Sequence, residues 1–172
     1  MTPFRPATVA DIPALHALVE RAYRGESAKA GWTHEADLLG GQRTDAAALA
    51  EMVADPAQMI LLGEDGERLV ACVAVKRLAD GTAYVGLVTV EPTIQSRGLG
   101  RAVLQAAEDH ARTINASRAE MTVIVQRSEL IAWYERRGWR LTGERRPFPL
   151  DDPRFGLPKT RDLDFVVLEK TL

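Results

Sequence analysis

At 172 residues, 46% hydrophobic and 27% charged, the chain has the length and make-up of about one domain with its own core, which excludes disordered, collagenous and fibrous classes. Twenty-two Lys and Arg against 24 Asp and Glu leave a formal net charge of -2 and a pI near 6.0, so no global positive field is present to hold a nucleic-acid backbone. The lone Cys72 cannot form an internal disulfide, and neither a leader-type apolar N-terminus nor a membrane-length apolar stretch is present; the expectation is a single cytoplasmic domain over 1–172 with no nucleic-acid or membrane partner.

Thr8 and Asp11 stand at capping-box spacing, and Ile12, Leu15, Val19 and Ala22 recur at helical intervals, which predicts a helix over about residues 9–24. Residues 25–43 mix Gly, Trp, Thr and charges without periodicity, a connection long enough to suggest function. Thr44 offers an N-cap for a helix over residues 45–54, and Pro56 ends it. Met59–Leu62 and Leu69–Val75 are apolar β-type runs across the turn Gly63-Glu64-Asp65-Gly66, with Cys72 a small buried thiol inside the second. Residues 82–91 form a third strand that Pro92 terminates. From Gly98 to about Ile114 an apolar face built on Leu99, Val103, Ala106 and Ala107 predicts a helix, and Met121–Val125 a strand after it. Ser128 caps a short helix ending near Gly138, and Trp139–Gly143 and Phe165–Leu168 close the chain as strands. The expected order is α-α-β-β-β-α-β-α-β-β, an α/β (α+β) chain.

Chemistry concentrates in the run from Val88 to Arg101: a strand, a proline stop, a polar loop and two glycines opening a helix. Free backbone N–H groups at a helix start converge on bound oxygen, and glycines let a pyrophosphate approach the backbone closely. Arg97 and Arg101 add positive charge. A P-loop requires Gly-Lys-Ser/Thr where Gly100-Arg101-Ala102 stands. A Rossmann fingerprint requires a third glycine where Val103 stands, and a strand running almost directly into the first glycine, whereas Pro92 stops this one well before Gly98.

The run resembles the acyl-CoA pyrophosphate motif of the GNAT family of N-acetyltransferases, Gln/Arg-x-x-Gly-x-Gly/Ala after a strand ending Val-x-Pro, with Gln95, Gly98 and Gly100 in the matching places. A second block, Leu130 to Trp139, resembles the family helix ending Tyr-x-x-x-Gly-Phe, with Tyr134 and Gly138 in place and Trp139 where Phe is usual. Ser96 stands for a frequent glycine, and Arg127 stands where many relatives carry an asparagine that contacts the pantetheine arm.

The resemblance implies a mixed, mostly antiparallel sheet flanked by helices, and direct transfer of an acetyl group from acetyl-CoA to an amine of a small molecule or peptide. The alternative is an acyl-CoA binding or sensing module without transfer; a homodimer is a further expectation. Coenzyme A would lie on the amides of Ser96, Arg97, Gly98, Leu99, Gly100 and Arg101, with main-chain groups of Val88 and Val90, and with Gln95 and Arg127, completing its site. Tyr134 would stabilise or protonate the leaving thiolate. For the base that accepts the amine proton the candidates are Glu26 and Glu35, with Asp37 beside them. Tyr23, Trp32, Asp37 and Tyr84 are the expected acceptor contacts, an aromatic and acidic set suited to a cationic amine. Six arginines, Arg127, Arg136, Arg137, Arg140, Arg145 and Arg146, outnumber Glu129, Glu135 and Glu144 nearby, which suits an acceptor that also bears a carboxylate.

Overall fold

The computed structural model describes residues 3–172, the side chains of residues 95–97 excepted. The chain opens with a short strand β1 (Phe4–Pro6), a 3-10 turn at Val9–Asp11 and helix α1 (Ile12–Tyr23). The capping box forms as expected, the Thr8 amide donating to Asp11 Oδ2 at 2.8 Å. Arg5 grips both Asp11 and Glu64, which fastens β1 to its neighbour and holds the Asp11 carboxyl well below the usual carboxylate range.

Then follow α2 (Gly25–Ala28), β2 (Leu39–Gly40), α3 (Ala46–Ala54), β3 (Gln58–Asp65), β4 (Arg68–Arg77) and β5 (Ala83–Val90). After a 3-10 turn at Pro92–Arg97 come α4 (Leu99–Thr113), β6 (Arg118–Ile124), α5 (Ser128–Glu135), β7 (Arg140–Pro147), β8 (Leu157–Pro158) and β9 (Asp164–Thr171). Seven strands make one sheet in the order β1-β3-β4-β5-β6-β9-β7; β2 and β8 pair separately. All neighbours in the large sheet are antiparallel except β5 and β6.

Both faces of the central strands are covered, so their apolar runs are continuous rather than alternating with polar residues. Ile60, Leu62, Cys72, Ala74 and Leu87 pack with Leu15, Leu18 and Val19 of α1 and Leu49 of α3. Leu61, Val73, Val75 and Val85 pack on the other face against Val103, Leu104, Ala107 and Ala111 of α4. A third cluster, Leu39, Ile124, Phe148 and Leu163, lies beneath the late loops.

The element order departs from expectation in several places. Strand β1, the β2–β8 pair and the single turn α2 are additional, each four residues or fewer and so below the reach of a periodicity argument. Asp45, not Thr44, caps α3, its carboxylate accepting from the Ala48 amide at 2.8 Å. The β3–β4 hairpin turns at residues 66–67 rather than 63–66, because a bulge at Gly63/Glu64 lets Asp65 pair with Arg68. Among the described residues no helix is long and apolar enough to cross a membrane.

Candidate active site

The parallel pair β5–β6 is registered only at Ala83↔Ala119 and Tyr84↔Glu120; beyond it the strands part. On the other side of β5 the register slips, so that Leu87 and Val88 oppose the single Val73 of β4. This is a bulge, and Leu87 sits in it at φ +54°, a region that branched side chains rarely occupy. Strain of this kind persists only where the surroundings enforce it. Two contacts hold the bulge: the Thr89 hydroxyl donates to the Leu87 carbonyl at 2.8 Å, and the Tyr23 hydroxyl, from the last residue of α1, donates to the Val88 carbonyl at 2.6 Å.

Two cavities flank the opened strands. The larger, about 740 Å³, runs from Val88, Thr89 and Val90 past Gly98, Gly100 and Arg101 to α5. Gly98 takes φ +74° and starts α4, leaving the amides of the first helical turn without intrahelical acceptors. A Cβ on Gly100 would stand 3.2 Å from the Trp133 ring, so glycine is what lets α4 and α5 approach. Arg137 stacks on that ring with its guanidinium carbon 3.7 Å from the centroid, and Arg101 and Arg136 line the same cavity. Amides at a helix start, a glycine-cleared approach and three guanidiniums form a donor set suited to a pyrophosphate and a further phosphate.

The smaller cavity, about 290 Å³, lies between the parted strands and the late loops. Its walls include Tyr84, Phe148, Phe155 and Phe165, with Arg24, Arg43, Arg127 and Glu35 as its charged residues. Tyr84 reaches across the gap, its hydroxyl 2.6 Å from Thr122 Oγ1. Tyr23, Val88, Arg127, Leu130 and Tyr134 line both cavities. Tyr134 therefore stands where the two meet, its ring packed edge-on against Trp133 and Trp139. Its hydroxyl has no hydrogen-bond partner among the described residues, and burial pushes the phenol above its usual range, aided by Tyr23 and opposed by Arg127.

Of the expected cofactor residues, Val88, Val90, Gly98, Gly100, Arg101 and Arg127 line the larger cavity. Leu99 turns its side chain into the core. The side chains of Gln95, Ser96 and Arg97 lie outside the described residues. Arg127 does more than line the wall: it donates to Glu35 Oε2 at 3.3 Å and lies 3.4 Å from Thr33 Oγ1.

The expected acceptor and base residues divide. Tyr23 and Tyr84 line the smaller cavity, whereas Trp32 lines the larger one, 6.3 Å from Trp133 between ring centroids. Glu26 and Asp37 stand apart from the others: both are exposed at the surface, both pair with Lys29, and neither lines either cavity. Glu35 is in the smaller cavity but not as a free base. It is buried, with Oε1 on Arg24 and Oε2 on Arg127, so each carboxylate oxygen already accepts from a guanidinium. Arg24 and Arg43 were absent from the expected set; the amphipathic end of α1 and the aperiodic stretch after it held them, but nothing local marks which arginines turn inward.

This site is one in which a helix-start anion cradle and a separate small cavity meet at a buried phenol beside a bulged strand. The Acetyltransferase (GNAT) family model matches residues 14–139. Curated protein sequences give no match. Among solved structures, the ribosomal-protein-alanine N-acetyltransferase of Brucella melitensis superposes with a TM-score of 0.73 at 18% identity, over 99% of this chain and 99% of that one. The PaiA N-acetyltransferase of Thermoplasma acidophilum, solved with coenzyme A, gives 0.70 at 15% identity over 100% and 99%. The IAA acetyltransferase of Bacillus cereus gives 0.69 at 13% over 100% and 100%. At these identities the superpositions speak to the fold, while the family match over most of the chain speaks to kinship. The chain belongs to the GNAT family of acetyltransferases, and is an acyl-CoA-dependent N-acyltransferase with acetyl-CoA as its cosubstrate.

Proposed function

We propose that the enzyme transfers the acetyl group of acetyl-CoA directly to the amine of a small molecule, with Tyr134 as hydrogen-bond donor to the departing thiolate. The observation that carries this reading is the position of Tyr134 at the junction of the two cavities, with its hydroxyl unpartnered. The larger cavity would hold coenzyme A by the amides opening α4 and by Arg101, Arg136 and Arg137. The smaller would hold the acceptor.

In the transfer, the neutral amine nitrogen attacks the thioester carbon, a C–N bond forms, the C–S bond breaks with its electron pair leaving on sulfur, and the proton shed by the acylated nitrogen passes to that thiolate, giving amide and thiol. Main-chain N–H groups beyond the bulge would polarise the carbonyl. A buried phenol is a poor acid but a durable donor, since desolvation that raises its own pKa raises that of a nearby thiolate as well. The hydrogen bond needs no prior change of protonation state.

Deprotonation of the amine follows from the charge balance of the cavity. Its one carboxylate among the described residues, Glu35, is engaged by two guanidiniums, and Arg43 adds a third positive charge. Positive surroundings depress the pKa of a bound ammonium, so the acceptor enters as the free amine without a dedicated carboxylate base. The enclosed volume and the arginines favour a small molecule over the cationic face of a peptide.

The test is thiol release from acetyl-CoA across a panel of small amines, with the product identified by mass, for wild type and Tyr134→Phe. Acetylated amine whose formation collapses in the variant while acetyl-CoA still binds supports the reading; equal turnover by both proteins, with chemistry rate-limiting, removes Tyr134 from it.

A further inference from the structure

We infer that the smaller cavity binds an anionic group of the acceptor through Arg43, so that the acceptor is an amino carboxylate: an amino acid or a molecule of that class. The inference rests on the acetyl-transfer reading above and adds the acceptor's chemistry to it.

Three guanidiniums and one carboxylate line this cavity. Glu35 is shared between Arg24 and Arg127, which leaves Arg43 outside any ion pair among the described residues. Its side chain makes no hydrogen bond there either; its guanidinium carbon lies 5.0 Å from the centroid of the Tyr23 ring. A half-buried guanidinium resting on an aromatic face retains its fork of donors for a planar anion. The nearest carboxylate on α1 does not satisfy it, because Glu20 is spent on the backbone amides of Arg43 and Thr44, both at 2.9 Å. That grip fixes the Arg43 backbone and leaves its charge free. A second donor is also in reserve: Arg127 Nε is buried with no partner.

Placement matches the chemistry. Tyr23 carries Arg43 on its ring and holds the Val88 carbonyl with its hydroxyl. A carboxylate on Arg43 is thus held across one ring from the bulged strand, with the amine of the same molecule directed towards Val88 and Tyr134. Phe148, Phe155 and Phe165 are left to face an apolar side chain. About 290 Å³ is at the lower edge of ligand cavities, enough for one such molecule.

The experiment uses the full chain with saturating acetyl-CoA. L-leucine, L-methionine and L-phenylalanine are each compared with the amine left by their decarboxylation, in wild type, Arg43→Met and Arg43→Lys. At least one amino acid is expected to exceed its amine by about tenfold to a hundredfold in kcat/KM, the gap lying in KM. Arg43→Met should bring that ratio close to one, and Arg43→Lys should keep part of it. Amines used as well as their amino acids in every pair, or a ratio that survives Arg43→Met, overturns the proposal. A parallel calorimetric arm titrates the N-acetyl amino acids and their uncharged N-acetyl amine counterparts into the same proteins. Carboxylate-dependent binding lost in Arg43→Met supports the anion site even if no amine is acetylated, in which case the acetyl-transfer reading alone fails; binding indifferent to the carboxylate overturns the site.

Discussion

The Tyr23 hydroxyl and the Val88 carbonyl are 2.6 Å apart, so the end of α1 is tied to the strand at the one place where that strand bulges. Tyr23→Phe keeps the ring under Arg43 and removes only this donor. Its expected cost is about 1 kcal/mol in denaturant unfolding, because the released carbonyl faces a cavity that water can enter. Turnover should fall more than stability suggests, with kcat affected and acetyl-CoA affinity largely kept; unchanged kcat would mean that the bulge holds its shape without Tyr23.

Tyr134→Phe should lower kcat by about ten- to a thousandfold with acetyl-CoA affinity nearly unchanged, the signature of a contact made as thiolate develops. Because burial raises the phenol pKa, the wild-type hydroxyl stays protonated through the neutral and mildly alkaline range. The pH-rate profile should therefore show no alkaline limb near pH 9 attributable to Tyr134, and the profile of the variant should keep the wild-type shape at lower amplitude.

Glu35→Gln should destabilise the fold by about 3 kcal/mol, since the buried Arg24 and the half-buried Arg127 lose their shared counter-charge. Glu26→Gln and Asp37→Asn, at the surface beside Lys29, should change neither stability nor kcat/KM beyond about twofold. Thermal unfolding of the three variants beside their acceptor kinetics separates a structural carboxylate from a base. A stable Glu35→Gln protein whose pH-rate profile has lost its acid limb would restore Glu35 as proton acceptor.

Gly98→Ala and Gly100→Ala should both weaken acetyl-CoA binding, for different reasons. At Gly98 there is space for a methyl group, but φ +74° costs an L-residue about 1 to 2 kcal/mol of stability. At Gly100 the backbone is unstrained but the new methyl presses on Trp133 at 3.2 Å, so the packing of α4 on α5 must give by a few tenths of an ångström and the loss should appear in both affinity and unfolding. Calorimetry of acetyl-CoA binding alongside denaturation measures both losses.

Burial pushes the Cys72 thiol up to about 12, so the native state holds its proton well after the unfolded chain has released it. Its contribution is intact below about pH 9 and declines as pH rises from there towards 12, at about 1.4 kcal/mol per unit. Cys72→Ala should flatten that part of the stability curve, and Cys72 in the native protein should resist thiol reagents at pH 8.

The helix start at Gly98 and the Tyr134 block were legible because each is local: proline, glycines and a periodic face lie within one turn or one helix of each other. The strands β3, β4 and β5 were legible as apolar runs, whereas the helix-flanked sheet they enter was implied by the family resemblance. What escaped was set by tertiary geometry. Glu35 and its partners Arg24 and Arg127 are separated by 11 and 92 residues, so no spacing rule joins them. Glu26, Glu35 and Asp37 share one short stretch and similar chemistry, yet the chain turns one inward and leaves two outside. Thr44 and Asp45 are both good caps; the backbone turned the second towards the Ala48 amide. Likewise β2 and β8 are two residues each and meet only because the late loops fold back over the cavity.

The parting of β5 from β6 also changes how the sheet resists opening. Two registered residue pairs join four strands on one side to three on the other, so this seam has fewer main-chain bonds than any long ladder beside it. Amides aimed into the gap lack a strand to accept them, although the side chains around them are buried. Hydrogen exchange should consequently be fast along the facing edges of Gly86–Val88 and Thr122–Ile124 and slow one strand away on β4 and β9. A ligand long enough to occupy both cavities at once would bridge the seam, slowing exchange on both edges together by acting as the missing rung.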